Sequence, residues 1–182
     1  MTGYNVGLFV HLLGVVTLFG GITIIQWGGA RLRGAATIGE VRLWLGLLRT
    51  TGRMFPAATL LLLASGVYMT TEAWTFETPW IAVSIAGILV MPLLGAGVFG
   101  RRMAAIGKSA AGAEEGPVSS EVKRLIAAPA GWQAAFALNG MALGILWLMT
   151  TKPGATHSIL VVLGLAFLGA MAGYLVTRPR GR

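Results

Sequence analysis

Five long apolar runs, at residues 6–27, 54–71, 80–100, 132–150 and 158–177, alternate along this chain with shorter stretches that hold nearly all of its charge. A helix of about 20 apolar residues crosses the hydrocarbon layer of a bilayer, so each run predicts one transmembrane helix. The polar stretches carry their own signals. Thr37 and Glu40 have capping-box spacing, and the helix they open, over about 38–53, groups Arg42, Arg49 and Arg53 opposite Leu43, Trp44, Leu47 and Leu48. That pattern predicts an amphipathic helix lying on the membrane surface. Residues 104–117, rich in Ala, Gly and Ser, read as a flexible connection, and 120–128 as a short helix that Pro129 ends. Thr78 and Pro79 supply an N-cap and a first helical residue for the third span, and 152–154 (Lys-Pro-Gly) a tight turn.

The first run has an inner rhythm. Gly7, Gly14, Gly21 and Gly28 recur every seven residues, with Tyr4, His11, Leu18 and Ile25 between them at spacings of four and three. Together they form one heptad seam on which a neighbouring helix can come close, because glycine holds no side chain between the backbones. Gly140 with Gly144, and Gly169 with Gly173, repeat the small-residue spacing in the last two spans, where the partner is either the chain itself or a second copy. A fainter repeat joins spans two and three to spans four and five: a basic lead-in, a proline (Pro56, Pro129), a span closing on Met-Thr-Thr (residues 69–71, 149–151) and a return span ending in arginine. It predicts one glycine-seamed helix plus two similar hairpins.

Charge fixes the threading. Of 14 Lys and Arg, all except Lys152 fall in residues 30–53, 101–124 or the tail with Arg178, Arg180 and Arg182. By the positive-inside tendency that side is the cytoplasm, the amino terminus is outside, and the amphipathic helix lies on the cytoplasmic surface. The net charge of +8 is thereby explained by topology and by contact with anionic headgroups, with no nucleic-acid partner. Only 11% of residues are charged against 55% hydrophobic, where soluble domains carry about 25% charged. Residues 1–5 hold no Lys or Arg and no small-residue cleavage site follows, so the first run reads as a retained span. The fold class is an all-α integral membrane bundle, one membrane domain over 1–182. Trp27, Trp74, Trp80, Trp132 and Trp147, at or near span ends, read as an aromatic belt.

Candidate chemistry is sparse. There is no cysteine, which excludes disulfides and thiolate sites, and no span interior holds Asp, Glu, Lys or Arg, which disfavours coupled transport. His11, roughly 8 Å inside the first span, either fixes helix contacts by a hydrogen bond or binds haem b or copper in the room a glycine seam leaves. His157, Met69 and Met149, at comparable depth, are the possible further ligands. Asn139 reads as an interhelical hydrogen-bonding residue, and Pro92 as a kink that frees a carbonyl.

These residues carry a resemblance. His11-Leu-Leu-Gly14 leading to Phe19-Gly20-Gly21, the basic stretch 49–53 and Ser65-Gly66 resemble a family of bacterial predicted integral membrane proteins of unknown function, which implies a multi-pass protein of the bacterial plasma membrane. More distantly, the first-span histidine followed by glycines looks like the copper-resistance protein D family and the haem-containing protoporphyrinogen oxidase of bacteria. That likeness implies a ligand role for His11 alone. Three functions stay open: a non-enzymatic accessory or assembly subunit with a membrane-protein partner or a second copy; a small haem or copper redox protein using His11; and a facilitator for an uncharged or hydrophobic solute passing Asn139, Ser84 and the Pro92 kink.

Overall fold

The computed structural model describes residues 2–178, so Met1, Arg180 and Arg182 lie outside it. It is 86% helical, with no strand among the described residues, and five helices are long and apolar enough to cross a membrane. The first span is α1 (Gly3–Arg33); α2 (Ile38–Gly52) follows and leads into the second span, α3 (Phe55–Ala73). The third span is α4 (Pro79–Leu94), which passes through a wide π-helical segment (Gly95–Gly100) into α5 (Arg101–Ala111). Then come α6 (Ser120–Ala127), the fourth span α7 (Pro129–Thr151) and the fifth, α8 (Ala155–Thr177). The chain reverses between spans, so the arginine-bearing helix ends gather at one end of the bundle, here called the basic end.

Lipid offers no hydrophobic drive for helix association, so spans hold together where their backbones meet closely. Two antiparallel pairs do this. On α1, Gly7 meets Tyr68 and Met69, Gly14 meets Leu62 and Gly21 meets Phe55, partners that descend α3 in constant register. A β-carbon on Gly14 would stand 3.2 Å from the Leu62 amide nitrogen. The seam then changes partner: Gly28 meets Leu48 of α2, and Gly29 would place a β-carbon 2.6 Å from the Trp132 ring. These contacts explain why α1 does not stop at Gly28 and Gly29 but runs on to Arg33. In the second pair, Gly140 lies on the Leu165 carbonyl, Gly144 on Val162, Gly169 on the Phe136 carbonyl and Gly173 on the Trp132 carbonyl. All four glycines face the other helix of the same chain, and α7 with α8 is the most extensive helix pair. Helix α4 lies against α7 and closes a core of Leu18, Leu62, Trp80, Ile88, Ile145 and Leu148.

A second core fills the basic end, where Leu32, Ile38, Val41, Ile106 and Val122, all at most 1% exposed, join α1, α2, α5 and α6 into a cap. The expected flexible stretch at 104–117 is therefore helical to Ala111: Ile106 and Ala110 are buried in this core, and Arg42 donates to the Ala110 carbonyl at 3.0 Å and the Ala113 carbonyl at 2.7 Å, closing the helix. Arg42 also pairs with Glu115, which turns it away from Arg49 and Arg53 and toward α5. Thr37 accepts from the Glu40 amide at 3.2 Å while Glu40 accepts from the Ala36 amide at 2.7 Å, so α2 begins on a reciprocal cap. Backbone bonds from Ile38 to the Gly116 carbonyl and from Val118 to the Ala36 carbonyl tie the two connections together.

Two further expectations change. Trp80 and Trp132 are core residues, at 8% and 2% exposure, while Trp27, Trp74 and Trp147 are exposed as interfacial tryptophans are. Trp132 donates its ring N–H to the Ile126 carbonyl at 2.7 Å, is covered by Gly29 and stacks edge-on with Phe99, so it joins three helices and the π segment. The two hairpins also differ: α8 packs along α7, whereas α3 packs along α1 and touches α4 far less. Similar topology did not produce similar packing.

Gly140→Val should destabilise the protein by about 3 kcal/mol or more, because the new side chain overlaps a carbonyl that cannot move without separating α7 from α8. Gly164, with open space around it, is the control, and Gly164→Val should change stability by less than about 1 kcal/mol. Thermal unfolding in detergent measures both, and equal losses would refute this account of the pair.

Candidate functional site

The register of α1 against α3 brings His11 beside Ser65 and Gly66. Nδ1 of His11 lies 3.1 Å from Ser65 Oγ, and the Ser65 hydroxyl spends its own hydrogen on the Leu61 carbonyl one turn earlier in α3. Ser65 can then only accept, which puts the imidazole proton on Nδ1 and leaves Nε2 with a free electron pair. Gly66 makes room for the ring: a β-carbon there would stand 3.5 Å from His11 Cε1. The imidazole is half-buried, and Nε2 makes no hydrogen bond among the described residues. A shallow open groove of about 380 Å³ runs along this seam toward the start of α1, lined by Gly3, Val6, Gly7, Val10, Ser65 and Tyr68.

The other candidate ligands are distributed unevenly. Met69 lies on the same seam, packed against Gly7 about one turn from His11. Met149, near the end of α7, is packed against the bundle core, and His157 is exposed in the first turn of α8, a helix that packs on α7 and α4. No group of three or more His, Cys, Asp or Glu converges among the described residues. One imidazole and one thioether on a shared seam match the donor preference of cuprous copper. The expected room for a flat macrocycle is not there, because Tyr68, Leu62 and Phe55 occupy the glycine notches of α1.

The residues assigned to a solute path do not converge either. Ser84 is buried and donates to the Trp80 carbonyl at 2.6 Å, Pro92 is exposed on the apolar surface, and Asn139 is half-buried with no side-chain hydrogen bond among the described residues. Ser65 is legible in the sequence as a polar residue of the second span, but its pairing with His11 becomes visible only once α1 and α3 are placed in register. Two more polar atoms stand out in the structure: Gln26 Nε2 and Arg33 Nη1, both on α1, are buried without a hydrogen-bond partner.

Comparison with known proteins agrees with this architecture. The family described as "Predicted integral membrane protein (DUF2269)" matches residues 6–153, and the chain belongs to that family. No curated protein and no solved structure matches it.

The His11–Ser65 bond should be measurable as a coupling. Ser65→Ala leaves Nδ1–H without an acceptor, and His11→Phe removes the ring's polarity. A double-mutant cycle read by unfolding in detergent should give an interaction energy of about 0.6–2 kcal/mol. Additive single-site effects would show that the two residues do not act as a pair.

Proposed function

We propose that this multi-pass membrane protein is a non-enzymatic accessory or assembly subunit, which engages a partner membrane polypeptide or a second copy along the α1–α3 seam. The observation that carries this reading is the unmatched Nε2 of His11. A ring nitrogen at membrane depth finds neither donor nor acceptor among lipid tails, and a polar group left so is costly. The chain meets the need of Nδ1 through Ser65, and the open groove lined by Val6, Gly7, Val10, Ser65 and Tyr68 lies along the same seam. A hydroxyl, amide or backbone N–H from a neighbouring helix satisfies Nε2 there, and the groove is wide enough to receive an apolar side chain.

A second reading has its own support. A histidine whose Nδ1 is fixed by a hydrogen bond is the usual form of a metal-bound imidazole, and Met69 shares its seam. In that reading His11 binds copper as one member of a redox or metal-handling protein. The placement is the same in both: the bacterial plasma membrane, with the basic end in the cytoplasm, the amino terminus outside, and exposed arginines against anionic headgroups.

Blue-native electrophoresis of membranes solubilised in a mild detergent should place the wild-type chain in an assembly larger than its monomer, and His11→Leu should dissociate that assembly while the protein still accumulates in the membrane. A monomeric wild type, or an unchanged assembly in the variant, overturns the subunit reading. Metal analysis and an absorption spectrum of the purified protein, alone and after incubation with copper or haem, decide the second: stoichiometric metal lost in His11→Ala puts that reading first. Orientation is tested separately with a carboxyl-terminal fusion, in which green fluorescent protein should fluoresce and alkaline phosphatase should stay inactive. The reverse pattern would invert the topology.

A further inference from the structure

Most cations at the basic end are arginines. Arginines stand where helices meet the membrane boundary: Arg31 and Arg33 at the end of α1, Arg49 and Arg53 before α3, Arg101 and Arg102 after the π segment, and Arg178 after α8. The lysines of this end, Lys108 and Lys123, lie in α5 and α6, where Arg124, Glu114, Glu115 and Glu121 belong to the same part of the cap. Arg42 with Glu115 is the one ion pair among the described residues, so the boundary arginines have no carboxylate partner within the described chain. Guanidinium differs from ammonium in presenting a planar fork that binds phosphate through two parallel hydrogen bonds.

Two of these arginines pack against consecutive residues of α7. Arg33 lays its guanidinium over the Trp132 ring, 4.6 Å from the centroid, and the stem of Arg102 packs against Gly131, the preceding residue of α7. Arg33 Nη1 is buried and lacks an acceptor, and two turns back on the same face of α1 Gln26 Nε2 is buried and lacks one too. Gly29, midway between them, is the residue that Trp132 covers. Near the start of α7, α1 thus holds two buried donors without acceptors, and the stem of Arg102 from α5 packs on the neighbouring Gly131. A buried unsatisfied donor carries its full desolvation cost. That cost is relieved by an anion with several acceptor oxygens. Its level follows from Trp27, two turns up α1, which is 56% exposed and marks the interfacial zone.

We propose that Arg33 and Arg102 form a phosphate-anion site between α1, α5 and α7, filled in the bilayer by the phosphodiester of an anionic lipid headgroup. The Trp132 ring covers one face of the Arg33 guanidinium and leaves the rest of this half-exposed side chain for the ligand. The site is independent of the subunit reading, since it uses the opposite end of α1 from His11.

Native mass spectrometry of the purified chain in detergent, titrated with phosphatidylglycerol, phosphatidylcholine or inorganic phosphate, tests the proposal, with melting temperature as a parallel readout. Phosphatidylglycerol should bind and raise the melting temperature. Arg33→Gln and Arg102→Gln should each weaken that binding about tenfold, the value of one charge-assisted hydrogen bond. The double variant Arg49→Gln, Arg53→Gln removes two charges from the same boundary and should keep most of it. Equal losses in all these variants would show general surface attraction and overturn the site, as would equal binding of phosphatidylcholine. Saturation by millimolar inorganic phosphate with the same sensitivity to Arg33 and Arg102 would overturn the lipid as occupant and assign a soluble phosphate. If Arg33→Gln does not accumulate, Arg102→Gln decides alone, because only the stem of Arg102 takes part in packing.

Discussion

Close approach of helix backbones is the constraint on which this bundle depends. Apolar side chains gain little by leaving lipid for protein, so the spans are joined where dispersion and weak Cα–H···O contacts accumulate, and that requires glycine at the contact. The chain meets the requirement twice, in α1 against α3 and in α7 against α8, each pair holding one register over several turns. Register has a functional consequence in the first pair. A shift of one residue on α3 would carry Ser65 away from His11, so the glycines that permit approach also set the hydrogen bond that fixes the imidazole tautomer. The rest of the bundle is arranged around these pairs: α4 fills the angle beside α7 with larger side chains, and α8 leaves Leu160, Leu163, Phe167 and Leu168 to lipid.

The basic end obeys different physics. Its core of Leu32, Ile38, Val41, Ile106 and Val122 resembles that of a small soluble domain, in which removal of apolar surface from water supplies the drive. Such a core is too small to stand alone, and here it is built onto the ends of the spans. Trp132 makes the join. It begins α7, seals against Gly29 of α1, and hydrogen-bonds the last turn of α6, so cap and bundle share one buried side chain. Arg42 performs the corresponding task by charge, holding the carbonyl end of α5 against α2.

The spans were legible because membrane helices are written in composition, and the glycine seam because a seven-residue period survives without any knowledge of its partner. In the cap, α2 was legible from the Thr37–Glu40 spacing and α6 from Pro129, but their shared core was not, because the residues that bury it, Ile38, Val41, Ile106 and Ala110, have the same spacing as a face resting on lipid. Residues 104–111 read as flexible because alanine and glycine mark both mobile loops and close packing, and only Arg42, far away in sequence, closes that helix. Trp132 shows the same ambiguity, since a tryptophan at the end of an apolar run fits an interfacial belt as well as a buried joint. His11 stood out because a polar ring among apolar neighbours is conspicuous, whereas Ser65 did not, because serine in a membrane helix is ordinary.

That difference between serine and histidine bears on where function resides. A hydroxyl in a helix can satisfy itself on the carbonyl one turn back, as Thr70 does on Gly66, Ser84 on Trp80 and Ser158 on Gly154, so such residues enter a membrane at small cost and imply no ligand. Imidazole, carboxamide and guanidinium groups cannot close on their own helix so completely. In this protein four such groups within the spans are His11 on the glycine seam, Asn139 within α7, and Gln26 with Arg33 beside Trp132. Helix α1 carries three of the four, one near its start and two near its end, and its seam glycines bind it to α3 between them. A helix held that firmly presents these groups at fixed positions at both ends of the bundle.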